Sequence, residues 1–354
     1  MSKILIPVII LAGALGAVFV WIFLTGQPDA PVGTEEPVLN LYSARHYDTD
    51  ARLYMEFTNA TGIVINRLED SASALMARID AEAENSPADV LMTTDVGRIW
   101  AAEDAGMFQP LSSEILETRI PVNLRSSEGL WFAFSQRARV IFYDKERVDP
   151  DNLRSYADLA DPRWEGMICT RSSSNVYMLS LMASRIHHMG EAGARQWATG
   201  LWNNRARDPE GGDTDQLRGI ASGQCAIAVA NTYYFARALR TDVPGLSNPE
   251  DTSRIGVIFP DQGTTGAHVN VSGGGVLAHA PHPQNAQLFL EYLVSARAQM
   301  YFSSGNDEYP VVIGAEISPN VASLGDFEAD ELPLDRLGVN QRLAQETYDE
   351  IGYR

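Results

Sequence analysis

The chain has 354 residues, 45% of them apolar and 21% charged, a composition that excludes a disordered chain and a polytopic membrane protein. That length suits two domains better than one small core. Acidic residues outnumber basic ones 46 to 27, for a formal charge of −19; this repels a phosphate backbone and argues against nucleic acid, while by itself it says nothing of metal.

Lys3 precedes the apolar run Ile4 to Leu24, and the chain turns polar at Thr25-Gly26-Gln27-Pro28-Asp29. Residues 1–27 read as an export signal. The run also approaches the roughly 20 residues that span a bilayer, and no A-x-A site follows it, so an uncleaved anchor formed by residues 4–24 fits equally. Either way, Lys3 stays inside and everything after Gln27 lies outside the cytoplasm. No cysteine lies near this run, which excludes a lipoprotein. Residues 28–37, rich in Pro, Gly, Thr and Glu, form a linker.

From Val38 the pattern is α/β. Val38 to Ser43 is a short strand; Asp48 to Asn59 then puts Leu53, Tyr54 and Phe57 at helical spacing until Gly62. Strand Ile63 to Asn66, helix Ser73 to Glu84, strand Ala88 to Met92 and helix Arg98 to Ala105 follow. Three successive β-α units predict a parallel sheet with crossover helices. Trp131 to Phe134 and Ala138 to Tyr143 read as two strand-like stretches with no helix between them, where the chain crosses to a second lobe. There the predictions are strand Met167 to Thr170, helices starting near Asn175, Glu191 and Asp213, strand Ala226 to Ala230, and a helix opening at Thr232. Strands Ile255 to Phe259 and His268 to Val271, then a helix from Gln284 to Val294, return the chain to the first lobe. The expected lobes are 38–136 with 266–312, and 137–265 with 313–354, flanking a hinged cleft.

Three loops at predicted carboxyl ends of strands carry chemistry. Open α/β sheets bind ligands at that edge. Ala230-Asn231-Thr232-Tyr233-Tyr234-Phe235 holds two adjacent phenols, and Arg171-Ser172-Ser173-Ser174-Asn175-Val176-Tyr177 has serines able to cap a helix and one phenol that capping does not explain. Tyr42-Ser43-Ala44-Arg45-His46-Tyr47-Asp48 adds an imidazole beside a phenol. A Tyr-Tyr pair is more often packing, and a lone His more often a surface residue. If the three loops face one cleft, however, phenolates are hard anionic donors, and a ferric ion suits them best. No G-x-S-x-G, H-E-x-x-H, P-loop or G-x-G-x-x-G occurs, so an enzyme is disfavoured. His187-His188 reads as a solvated pair; Asp89, Asp95 and Asp213 read as caps or loop residues. Cys169 and Cys225 begin strand-like runs, and a disulfide and two buried free thiols both fit.

These segments, with Ser86-Pro87-Ala88-Asp89-Val90-Leu91, Arg137-Ala138-Arg139-Val140 and Thr265-Gly266-Ala267-His268-Val269-Asn270-Val271-Ser272-Gly273, resemble the periplasmic ferric-ion-binding proteins of ABC transporters, in particular the branch with a His-Tyr pair near the start. The resemblance covers most of the chain from Val38. It implies the two-lobed periplasmic binding protein fold, type II, hinged by crossover strands. It also implies one Fe3+ held between the lobes, with a synergistic anion or water completing the shell, by a monomer that delivers it to a permease driven by an ATPase. Tyr177, Tyr233 and Tyr234 match the family's tyrosine ligands, and His46 and Tyr47 match first-loop ligands whose use varies within it. Arg137, Arg139 and Arg237 are candidates for pairing with the phenolates. The alternative is a protein of the same fold holding a polyamine, thiamine or organic anion.

Overall fold

The computed structural model describes residues 37–45 and 47–354. The signal or anchor segment, the linker up to residue 36 and His46 lie outside the described residues. Among the described residues no helix is long and apolar enough to cross a membrane.

Strand β1 (Val38–Ser43), helix α1 (Asp50–Thr61), β2 (Val64–Glu69), α2 (Ala72–Glu82), β3 (Val90–Thr93) and α3 (Val96–Asp104) realise the three predicted β-α units. Leu53, Tyr54 and Phe57 form the buried stripe of α1, as their spacing requires. Next come α4 (Glu114–Arg119), β4 (Phe132–Asp144), β5 (Ile168–Cys169), α5 (Val176–Asn203), α6 (Asp213–Ala221), β6 (Ile227–Asn231) and α7 (Thr232–Arg240). The chain closes with α8 (Pro249–Arg254), β7 (Ile255–Ile258), β8 (Val269–Val276), α9 (Pro283–Leu293), α10 (Ala296–Asn306), β9 (Tyr309–Pro310), α11 (Pro319–Ala322), α12 (Asp335–Val339) and α13 (Gln341–Glu350).

The strands order as β2-β1-β3-β8-β4-β6-β5, with β7 and β9 also paired to β4. β1 is parallel to β2 and β3, and β5 is parallel to β6. The antiparallel strands β8 and β4 lie between these parallel sets. The two stretches expected around residues 131–143 are one continuous strand. Ser135, Gln136 and Arg137 break its apolar pattern yet stay in the ladder, and the register shifts only between Ala133 and Ser135. β4 changes partner along its length: Ala138 faces Val269 of β8, and Arg139 faces Asn231 of β6.

Alternation along β4 divides the interior, because successive strand residues face opposite ways. Ala138, Val140 and Phe142 pack in one cluster with Leu217, Ile220 and Phe235, whereas Ile141 belongs to the larger one with Leu181 and Val229. In α5, Gly190 has φ 71 and ψ 166, a backbone favouring glycine, so the element is two helices meeting at a kink, as expected from starts near Asn175 and Glu191. In β8, a side chain on Gly274 would collide with the Leu91 carbonyl of β3, so only glycine lets these strands approach. Cys169 and Cys225 form a disulfide, with Cα atoms 5.8 Å apart.

Candidate metal centre

Two adjacent parallel strands set the centre's geometry. Ile168 of β5 pairs with Ile227 of β6, so the loops after both strands leave the same sheet edge. The first enters α5, where the Asn175 side chain accepts a hydrogen bond from the Tyr177 amide at 3.1 Å. Asn175 is therefore the cap, correcting the assignment of that role to the serines; Ser172 and Ser174 bond to each other at 3.0 Å. The second loop has no length at all, since α7 starts directly after β6 and puts Tyr233 and Tyr234 in its first turn.

As a result the Tyr177 and Tyr233 hydroxyls lie 3.3 Å apart, and the Tyr233 and Tyr234 rings pack with centroids 4.2 Å apart. Tyr233 is buried, while Tyr177, Tyr234 and Tyr47 are half-buried. Tyr47, beyond β1, joins them through Arg237, whose Cζ lies 5.8 Å over the Tyr47 ring and 5.6 Å over the Tyr233 ring. The four phenols thus share one neighbourhood. His46 lies outside the described residues, and among those described no group of three His, Cys, Asp or Glu side chains is placed to hold a metal.

Guanidinium groups surround the phenols. Arg137, Arg139 and Arg171 lie 5.6, 5.9 and 5.6 Å over the Tyr177 ring, and Arg45 lies 4.7 Å over Tyr47. Carboxylates hold these cations in turn. Asp213 accepts from Arg139 at 3.1 Å and from the Asn231 amide at 2.8 Å, with Arg171 at 3.6 Å. Asp95 is 3.9 Å from Arg137. Arg45 pairs with Asp50 at 2.9 Å and Glu308 at 3.3 Å. Nε and Nη2 of Arg137 and Nε of Arg171 are buried without a hydrogen-bond partner, unspent donors beside Tyr177 that favour negative charge nearby.

Burial pushes the Tyr47, Tyr233 and Tyr234 phenols well above their ordinary range. The Glu308 carboxylate adds to it for Tyr47 and that of Asp213 for Tyr233 and Tyr234, and ionising any one phenol makes the next harder to ionise. At neutral pH these phenols hold their protons, and only a strong cation with oxygen affinity displaces them. Arginines on the ring faces then offset the negative charge that phenolates bring.

Asp95 caps α3 through the Gly97 amide at 2.8 Å, as expected of a cap. Asp213 corrects the cap or loop reading: Gly212 is the cap of α6 and Asp215 its capping carboxylate, while Asp213 orders Arg139 and the Asn231 amide at the site. Arg45, Arg171 and Glu308 were not singled out from sequence. Arg45 stands beside the His-Tyr pair, which was the available signal, but Glu308 is 263 residues away from its partner Arg45. His188 corrects the solvated-pair reading: its Nε2 lies 2.8 Å from Asp330, and only His187 is exposed.

The sequence matches the model of the bacterial extracellular solute-binding protein family over residues 85–327. The chain belongs to that family. It is 46% identical over 331 residues to iron uptake protein A1 of Synechocystis, covering 93% of this chain and 91% of that protein. The solved structure of Trichodesmium IdiA (FutA) in complex with iron and citrate superposes with a TM-score of 0.86 at 47% identity, covering 90% of this chain and all of that one. The ferric binding protein from Campylobacter jejuni gives 0.84 at 36% identity, over 89% of this chain and all of that one. The fold is the two-lobed α/β architecture of these binding proteins, as expected from the sequence, and the family is one of binding proteins that work with ABC transporter permeases.

Proposed function

We propose that this member of the family captures one ferric ion outside the cytoplasm and delivers it to an ABC permease with its ATPase, Tyr47, Tyr177, Tyr233 and Tyr234 supplying phenolate oxygens and His46 a further donor. The carrying observation is the 3.3 Å approach of the Tyr177 and Tyr233 hydroxyls beneath arginines. Two phenol oxygens so close, one of them buried and costly to ionise alone, have their use where a trivalent cation takes both as donors. Iron uptake, iron with citrate, and ferric binding in the relatives' names point the same way. The unpartnered nitrogens of Arg137 and Arg171 suit a synergistic anion or water in the remaining coordination positions.

The lobes are 38–136 with 266–312 and 137–265 with 313–354. The partner exchange of β4 between Ala138 and Arg139 supports the first boundary. Residues 1–27 export the chain, and residues 4–24, if retained, hold a monomer at the inner membrane. Titrating metal-free protein with ferric citrate tests the assignment: a phenolate-to-iron absorption band should grow and saturate at one ion per chain. The convergence of phenols, rather than carboxylates or apolar walls, argues against an organic cation as cargo.

A further inference from the structure

We infer that the adjacent carboxylates of Asp307 and Glu308 are positioning residues that clip the two halves of the iron site together, Asp307 holding the helix that carries Tyr233 and Tyr234, and Glu308 holding the arginine beside Tyr47. This rests on the tyrosine assignment above.

The clip begins with backbone geometry. Helix α10 ends at Asn306 and is capped by Asp307, whose φ 62 and ψ 25 are left-handed, a conformation that an aspartate tolerates better than most residues. The turn sends two successive side chains to different elements. Asp307 receives both arms of Arg240, Nε at 2.9 Å and Nη2 at 2.7 Å, and lies 3.7 Å from Arg237 Nε. Both arginines belong to α7, and Arg237 is the guanidinium shared by the Tyr47 and Tyr233 rings. Glu308 accepts from Ser135 at 2.8 Å and lies 3.3 Å from Arg45, while its other oxygen accepts from Ser272 at 3.4 Å. It therefore touches both crossing strands, β4 and β8, as well as the loop that leads to Tyr47. Preceding residue Asn306 donates to Asp50 at 2.9 Å, fixing the start of α1 next to the same loop.

Asp307 and Glu308 are fully buried. Burying two carboxylates against three arginines is a weak way to add stability, because desolvation consumes much of the ion-pair energy. It is an effective way to fix geometry, since a bidentate arginine has one preferred orientation. By gripping Arg240 with both oxygens and standing beside Arg237, Asp307 holds α7 so that Arg237 lies over the Tyr47 and Tyr233 rings, and Glu308 helps to hold Arg45 over the Tyr47 ring.

The test is a set of double-mutant cycles in the full chain, read as the rate at which a chelator removes iron, with thermal unfolding of each metal-free variant measured alongside. Asp307→Asn and Glu308→Gln should each speed iron loss about tenfold. In a Tyr47→Phe background Glu308→Gln should add less than about threefold while Asp307→Asn keeps its effect, and in a Tyr233→Phe background the roles should reverse. Effects that simply multiply in both backgrounds would overturn the clip. If the carboxylate variants do not fold, Arg240→Gln, whose side chain is 33% exposed, and Ser135→Ala carry the same comparison. If Tyr47→Phe and Tyr233→Phe themselves leave iron loss unchanged, the tyrosine assignment has failed, and the clip falls with it.

Discussion

The Ser180 hydroxyl donates to the Asp95 carboxylate at 3.0 Å, joining the helix that carries Tyr177 to the helix that Asp95 caps. The same carboxylate accepts from Asn270 of β8 at 2.8 Å and faces Arg137 beneath Tyr177. One buried acid thus connects α3, a crossing strand and the far side of the cleft. Replacing it with alanine removes a helix cap and leaves Arg137 without that counter-charge. Asp95→Ala should therefore lower unfolding stability by about 3–5 kcal/mol, measured by denaturant unfolding of metal-free protein. Ser180→Ala, which leaves Asp95 its Asn270 and Gly97 donors, should cost about 1–3 kcal/mol.

Tyr234→Phe keeps the ring that packs on Tyr233 and removes only the hydroxyl. Its stability should change by about 1 kcal/mol or less, whereas ferric affinity, measured by competition with citrate, should fall at least about tenfold, because an anionic donor is gone. Tyr177→Phe should behave alike, with the added loss of its contact to the Tyr233 hydroxyl.

Proton release makes binding depend on pH in a fixed direction. Tyr47, Tyr233 and Tyr234 are raised chiefly by burial, so each is protonated in the free protein at neutral pH. Each proton displaced should strengthen apparent ferric affinity about tenfold per pH unit, and iron should be lost on acidification. For the metal-free fold the consequence appears at alkaline pH. Phenols that titrate near 10 when unfolded and higher when folded bind more protons in the native state, so stability present below about pH 10 is lost as pH rises beyond it. Thermal unfolding between neutral and strongly alkaline pH checks the sign.

Reduction tests the disulfide that staples the end of β5. Cys169 and Cys225 are 56 residues apart, and opening a loop of that length should cost about 4 kcal/mol. A clear fall in unfolding temperature with reductant is expected, while Tyr177, Tyr233 and Tyr234, carried by α5 and α7, should still bind iron below the new transition.

The β-α units were legible because each depends on local periodicity, and Leu53, Tyr54 and Phe57 lie where their spacing puts them. The tyrosine loops were legible because strand ends and helix starts are local too. What stayed hidden was pairing over long sequence distance. β4 read as two strands because Ser135 and Arg137 interrupt its apolar run, and nothing nearby shows that Glu308 accepts from Ser135 and that Asp95 stands as a counter-charge to Arg137. His188 read as solvated because Asp330 is 142 residues away. Arg45 was passed over for the same reason, since burial of a cation shows only when its carboxylates are found.

The most direct test of the account is the visible spectrum of the metal-free chain as ferric citrate is added, for the native protein and for Tyr177→Phe with Tyr233→Phe combined. The account predicts a phenolate-to-iron band that saturates at one ion per native chain and is lost or strongly weakened in the double variant. A colourless native protein, or an equal band in the folded double variant, would contradict it.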